Sequence, residues 1–259
     1  MSDRSILDHP ELPPGRVVRR GPLPHQVHEA FGDPASARAW VVLIHGGFWR
    51  AEWDRTHLRP LARALSESGY AVALLEYVRA GMPGGGWPGT FEDVAEALAV
   101  VVREVRQTSR GGERLPVVLV GHSAGGHLAA WLLHQPEAVG VRGAVSLAGC
   151  LDLHLVADLG LDDGAAQLLM GSAPGTQPAR WEAADPARLG QTPYGMGVVH
   201  GDADEWVPIE VSRSWWTACA TPGRDRFREL AGVSHFGLID PAAASFEGLI
   251  EEIEALARP

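Results

Sequence analysis

From Trp40 onward the apolar positions form short continuous runs separated by stretches with helical spacing. Trp40-Val-Val-Leu-Ile-His45 is unbroken and β-branched, the pattern of a strand buried on both faces. Asp54 to Ser68 follows with Leu58, Leu61, Ala62 and Leu65 at helical spacing. Tyr70 to Tyr77 predicts the next strand and Phe91 to Val105 the next helix. Val117-Val-Leu-Val120 stops at a glycine, and Ser123 to His134 then reads as a helix with Leu128, Trp131 and Leu132 on one face. Val141 to Leu147, Gly195 to His200 and Phe227 to Leu230 supply further strands. Phe246, Leu249, Ile250, Ile253 and Leu256 mark a last amphipathic helix.

Strands alternating with helices predict an α/β architecture, a mostly parallel sheet covered on both faces. Val17-Val18 and Gln26-Val27-His28 add an antiparallel pair at one edge. Leu151 to Thr192 breaks the rhythm. So long a departure inside one domain spanning 1–259 reads as a cap insertion over a functional site, 151–192. Its small and polar residues predict looser packing than the core.

Composition narrows the function. The chain has 259 residues, 46% of them hydrophobic and 21% charged, enough for one large core. Lys and Arg total 22 against 32 Asp and Glu, a net charge of −10 that disfavours nucleic acid and anionic membranes as partners. A small-molecule substrate is the expected partner, for a monomer or a homodimer. The two cysteines, Cys150 and Cys219, make neither a metal spacing nor a disulfide framework. Met1 to Pro14 lacks a signal-peptide layout, and no apolar run nears the roughly 20 residues of a membrane span, so a cytoplasmic location is expected.

The chemistry concentrates at strand ends. Gly121-His122-Ser123-Ala124-Gly125 is a G-x-S-x-G pentapeptide set between a strand and a helix, where a tight turn lifts a serine hydroxyl clear of the sheet. His45-Gly46-Gly47-Phe48-Trp49 also ends a strand. Its glycines let backbone amides turn inward, and the N–H groups of Gly47, Phe48 and Ala124 are candidate oxyanion donors. His235 follows the last strand, where chain order places a base for Ser123. His122 is adjacent to Ser123 and is read as packing. The acid lies in His200-Gly-Asp-Ala-Asp-Glu-Trp-Val-Pro208. Asp204 has room to turn back to the histidine, whereas Asp202 suits the turn's own amides and Asp152 is a distant alternative. Trp49, Trp87 and Trp206 flank these turns as candidate substrate-binding residues, with core packing as the competing role for any of the nine tryptophans. No metal-ligand spacing is present, so neither a metal nor another cofactor is expected.

These motifs, with Glu76-Tyr-Val-Arg79 and Ser234-His-Phe236, resemble from about Trp40 to the C-terminus the kynurenine formamidase branch of the α/β-hydrolases, neighbours of the hormone-sensitive-lipase-like carboxylesterases. The resemblance implies an eight-stranded sheet and a Ser123, Asp204, His235 triad. Two departures stand out: Phe48 replaces the third glycine of many neighbouring esterases, and Val78 separates Tyr77 from Arg79. The expected activity is acyl transfer to water from an aryl formamide such as N-formylkynurenine. The alternatives are a carboxylesterase on short-chain or aryl esters and a non-catalytic binding module on the same fold.

Overall fold

The computed structural model describes Leu7, residues 12–108 and residues 114–258. Of the stretch Met1–Pro14, residues 1–6 and 8–11 lie outside the described residues. Eight strands make one sheet: β1 (Arg16–Arg19), β2 (Val27–Phe31), β3 (Trp40–Ile44), β4 (Ala71–Leu75), β5 (Val117–His122), β6 (Val141–Leu147), β7 (Gly195–Gly201) and β8 (Arg226–Leu230). Their order is β1-β2-β4-β3-β5-β6-β7-β8. β1 with β2 and β2 with β4 are antiparallel, and every other neighbouring pair is parallel.

The helices are α1 (Arg59–Glu67), α2 (Gly89–Thr108), α3 (Ala124–Leu132), α4 (Leu153–Asp158), α5 (Leu161–Met170), α6 (Pro178–Ala184), α7 (Pro186–Leu189), α8 (Glu210–Cys219) and α9 (Ser245–Ala257). Side-chain alternation along the strands divides the core in two. Val41, Leu43, Val72, Leu74, Val118 and Val120 pack with Leu61 and Leu65 of α1 and Leu249 and Ile253 of α9. Val42, Ile44, Ala73, Leu75 and Leu119 face the other way, onto Phe91 and Leu98 of α2, Leu128 of α3 and Trp215 of α8. Because both faces are covered, β3 and β4 are buried at every position. The sequence predicts one helix over Asp54 to Ser68. A 3-10 turn, Arg55–Leu58, instead precedes α1, with the Asp54 carboxylate capping it through the Thr56 amide at 2.9 Å.

The segment from Leu151 to Thr192 leaves the carboxyl end of β6 and holds α4 to α7. Part of it packs as core, more tightly than its composition predicts, while residues 171–180 are exposed or half-buried. Ala165, Ala166, Leu169, Met170, Trp181 and Ala184 are fully buried, whereas Leu159 and Leu168 are exposed. Two side chains of α3 anchor it: His127 Nε2 and Trp131 Nε1 donate to the carbonyls of Ala184 and Ala183, each at 2.9 Å. Those hydrogen bonds satisfy backbone acceptors that the short helices leave over.

Candidate active site

The turn from β5 into α3 sets the first group. Ser123 has φ 55° and ψ −121°, a strained conformation for a residue with a Cβ. The close approach around it requires glycine on both sides. A Cβ at Gly121 would lie 2.1 Å from the Gly125 carbonyl oxygen, and one at Gly125 would lie 2.1 Å from that of Ile44. Backbone hydrogen bonds hold the strain: Ser123 N–H donates to Leu147 at 2.8 Å, and its carbonyl accepts from Gly126 at 2.9 Å.

A second strained turn faces this one. Gly47, Phe48 and Trp49 all have positive φ, at 99°, 48° and 56°. The Arg50 amide closes the turn on Gly47 at 2.9 Å. Among the described residues, no acceptor takes the amide hydrogens of Gly47, Phe48 or Ala124. His45 braces the turn from below. Its Nδ1 lies 2.8 Å from the Gly46 carbonyl oxygen and its Nε2 3.1 Å from Glu76 Oε1. Tyr77 stacks on that ring at 4.3 Å and donates its hydroxyl to the His45 carbonyl at 3.0 Å. Burial raises the Glu76 carboxyl, but His45, Arg79 and the Arg55 amide outweigh it and bring the pKa down to about 2.

The candidate base and acid come from the loops after β8 and β7. Asp204 Oδ2 lies 2.6 Å from His235 Nδ1, while Oδ1 accepts the amides of Trp206 at 2.8 Å and Val207 at 2.9 Å. Burial pushes this carboxyl up. Hydrogen bonds from His200, His235 and the Val207 amide, with the charge on His235, overcome that and hold it well below the usual carboxylate range. An ionised Asp204 fixes the proton of His235 on Nδ1 and leaves Nε2 with its lone pair. Ser123 and His235 line the same cavity, of about 100 Å³. Asp202 and Asp152 sit elsewhere. Asp202 takes the Gly232 amide at 2.6 Å, across from its own turn, and Asp152 caps α4 through the Leu155 amide at 2.9 Å.

The structure divides the three tryptophans. Trp206 lines the cavity. Trp49 does not: it is fully buried, with its ring edge-on to His127 at 5.1 Å, because the positive φ of the turn folds it inward. Trp87 packs on Phe91 at 4.8 Å and donates its amide to Leu169 at 2.8 Å, which keeps it against α2 and the cap. The walls are instead Phe48, Trp53, Phe236 and His57. Burial, reinforced by the charge of His45, lowers His57 to about 4, so it faces the cavity as a neutral ring.

Two further residues escaped the sequence reading. His122 lines the cavity and donates Nε2–H to the His235 carbonyl at 3.1 Å, a longer-range task than packing. The fully buried Cys150 donates its backbone amide to the Ser123 carbonyl at 3.3 Å, and burial pushes its thiol pKa up. The signals were faint: His122 stands beside Ser123, and Cys150 closes the turn after β6. Among the described residues, no cluster of three His, Cys, Asp or Glu could hold a metal ion, and no helix is long and apolar enough to cross a membrane.

Known proteins share this arrangement of sheet and turns. A truncated carbohydrate esterase from gut microbiota superposes with a TM-score of 0.77 at 17% identity, over 96% of this chain and 98% of its own, which shows the α/β-hydrolase fold. The family model BD-FAE matches residues 33–218, most of the chain. The chain therefore belongs to the BD-FAE family, an esterase- and lipase-like group of α/β-hydrolases. Among curated proteins it is 31% identical to hormone-sensitive lipase of Mus musculus over 140 residues, 54% of this chain and 17% of the lipase. It is 24% identical to kynurenine formamidase of Drosophila melanogaster over 213 residues, 78% of this chain and 67% of the formamidase. The chain thus spans a small part of the lipase it matches and two thirds of the formamidase.

Proposed function

We propose that this protein is a serine hydrolase that cleaves a small acyl derivative through an acyl-enzyme, with an aryl formamide such as N-formylkynurenine as the substrate type. The observation that carries the reading is the 2.6 Å Asp204–His235 pair, opening on the cavity that holds Ser123 at its strained turn. His235 Nε2 takes the Ser123 proton as Oγ attacks the carbonyl carbon. The free amides of Gly47, Phe48 and Ala124 receive the developing oxyanion. His235 then protonates the leaving nitrogen or oxygen. Water, deprotonated by the same ring, attacks the acyl-enzyme and restores Ser123.

The small volume and aromatic walls suit a short acyl group on an aromatic leaving group. Similarity to the Drosophila formamidase favours a formamide; similarity to the mouse lipase favours a carboxylic ester as the second reading. The segment 151–192 serves as the cap, contributing Asp162 to the cavity wall. The test measures kcat/KM side by side on N-formylkynurenine and on short p-nitrophenyl esters, with fluorophosphonate labelling of Ser123. Faster turnover of the formamide supports the first reading, and faster turnover of the esters the second. A serine that does not label leaves a binding module.

A further inference from the structure

One residue of the cavity wall carries a fixed charge and lies outside the machinery above: Asp162, at the start of α5. No Lys or Arg lines the cavity among the described residues. Asp162, Asp163 and Gly164 have φ 46°, 50° and 75°, one left-handed turn in which two of three residues carry a Cβ. Such backbone is strained wherever the residue carries a Cβ. It persists here because the Arg50 fork grips it: Nε meets Asp162 Oδ2, and Nη2 donates to the Asp162 carbonyl at 2.5 Å. Arg50 belongs to the turn of Gly47 and Phe48 and is not itself part of the wall. Asp162 lines the cavity with its side chain 31% exposed, while Asp163, next along the chain, is exposed and off the wall. A tie between cap and turn would need the ion pair alone. It would not need the carboxylate in the cavity wall.

Arg50 pairs with Asp162 Oδ2 from outside the wall, and no donor among the described residues takes Oδ1. His57 and His122 are both held neutral by burial, so an incoming group meets one carboxylate among Phe48, Trp53 and Trp206. Aromatic walls lower the local dielectric and strengthen that carboxylate's preference for a positive partner. When the acyl group is as small as formyl or acetyl, the leaving group is the part of the substrate able to reach it. Resting on the hydrolase reading, we infer that Asp162 is a specificity determinant. It selects acyl derivatives whose leaving group carries an ammonium, alone or beside a carboxylate as in kynurenine, over those whose leaving group carries a carboxylate alone.

The experiment compares kcat/KM at pH 7 on three matched acetates, 4-(aminomethyl)phenyl, 4-methylphenyl and 4-(carboxymethyl)phenyl, whose methylene spacers keep intrinsic reactivity similar. Wild type is expected to favour the ammonium ester over the carboxylate ester by about tenfold or more. Asp162→Asn should collapse that ratio towards one, each rate being read relative to the neutral ester in the same variant. Asn tolerates left-handed backbone and still accepts from Arg50, so the variant is expected to fold. Asp163→Asn removes an equal charge off the wall and should leave the ratio unchanged. In wild type alone, benzylammonium should inhibit hydrolysis of the neutral ester better than phenylacetate does. An unchanged ratio in Asp162→Asn, an equal collapse in Asp163→Asn, or stronger inhibition by phenylacetate would overturn the inference and leave the hydrolase reading standing. If wild type cleaves none of the esters and Ser123 resists the fluorophosphonate, the hydrolase reading itself fails and the inference falls with it.

Discussion

His122 donates its Nε2 proton to the backbone carbonyl of His235 at 3.1 Å, and the two rings lie 4.5 Å apart. The candidate base is therefore held at two points, by Asp204 on its ring and by His122 on its main chain. Burial, with the charge of His235 nearby, keeps His122 far below the ordinary imidazole range, so it adds no repulsion when His235 takes up a proton. His122→Gln places an amide N–H near the position of Nε2 and is expected to retain most of kcat. His122→Phe fills the space without a donor and should lower kcat by about 10- to 100-fold with little change in KM, as expected for a misplaced base. Equal losses in both variants would reduce His122 to packing.

Asp204→Asn should be far more damaging than Asp202→Asn. Only Asp204 reaches His235, and an amide there no longer compensates the imidazolium or enforces its tautomer, which costs roughly 10⁴-fold in kcat in comparable triads. Asp202 holds the Gly232 amide at 2.6 Å, so its loss is expected to lower stability rather than turnover. Steady-state kinetics of the two variants beside a urea titration separate these effects. The opposite order of kcat losses would reassign the acid.

Stability should fall on acidification from neutrality. Burial lowers His57 and His127 from the ordinary value of 6.5 to about 4. Between those values the unfolded chain takes up protons that the folded chain refuses, so stability rises with pH there and is complete above 6.5. Glu76 acts lower: with its pKa brought from 4.5 to about 2, its contribution is present above 4.5 and is lost as pH falls towards 2. Urea midpoints measured from pH 7.5 to 4 are expected to decline steadily. A flat profile would mean that these groups titrate alike in both states.

Much of this was legible in the sequence because it follows from local pattern. The β-branched runs at Val41, Val117, Val141 and Val198 became strands, and the glycines beside Ser123 announced a turn that only they permit. Asp204 and His235 were placed by their positions after strands. What stayed hidden depends on side-chain direction across distant segments. Trp49 looked like a cavity residue because it adjoins the Gly47 turn, yet the positive φ at Phe48 and Trp49 turns its ring into the core. Trp53 and His57 carry no periodic signal, since the 3-10 turn before α1 brings them to the cavity. Asp162 was hidden in a segment read as loosely packed. The left-handed turn and the Arg50 contact that aim it belong to no local pattern.

The central claim is that Ser123 is the nucleophile that His235 and Asp204 activate. It is tested most directly by active-site labelling and turnover of Ser123→Ala against wild type, both shown to be folded by matching urea midpoints. Wild type is expected to react stoichiometrically with a fluorophosphonate at Ser123. Ser123→Ala should not label and should lose on the order of 10⁴- to 10⁶-fold in kcat on whichever acyl substrate proves best. A folded Ser123→Ala protein that keeps turnover within about tenfold of wild type, where a lost nucleophile costs orders of magnitude, would contradict the claim.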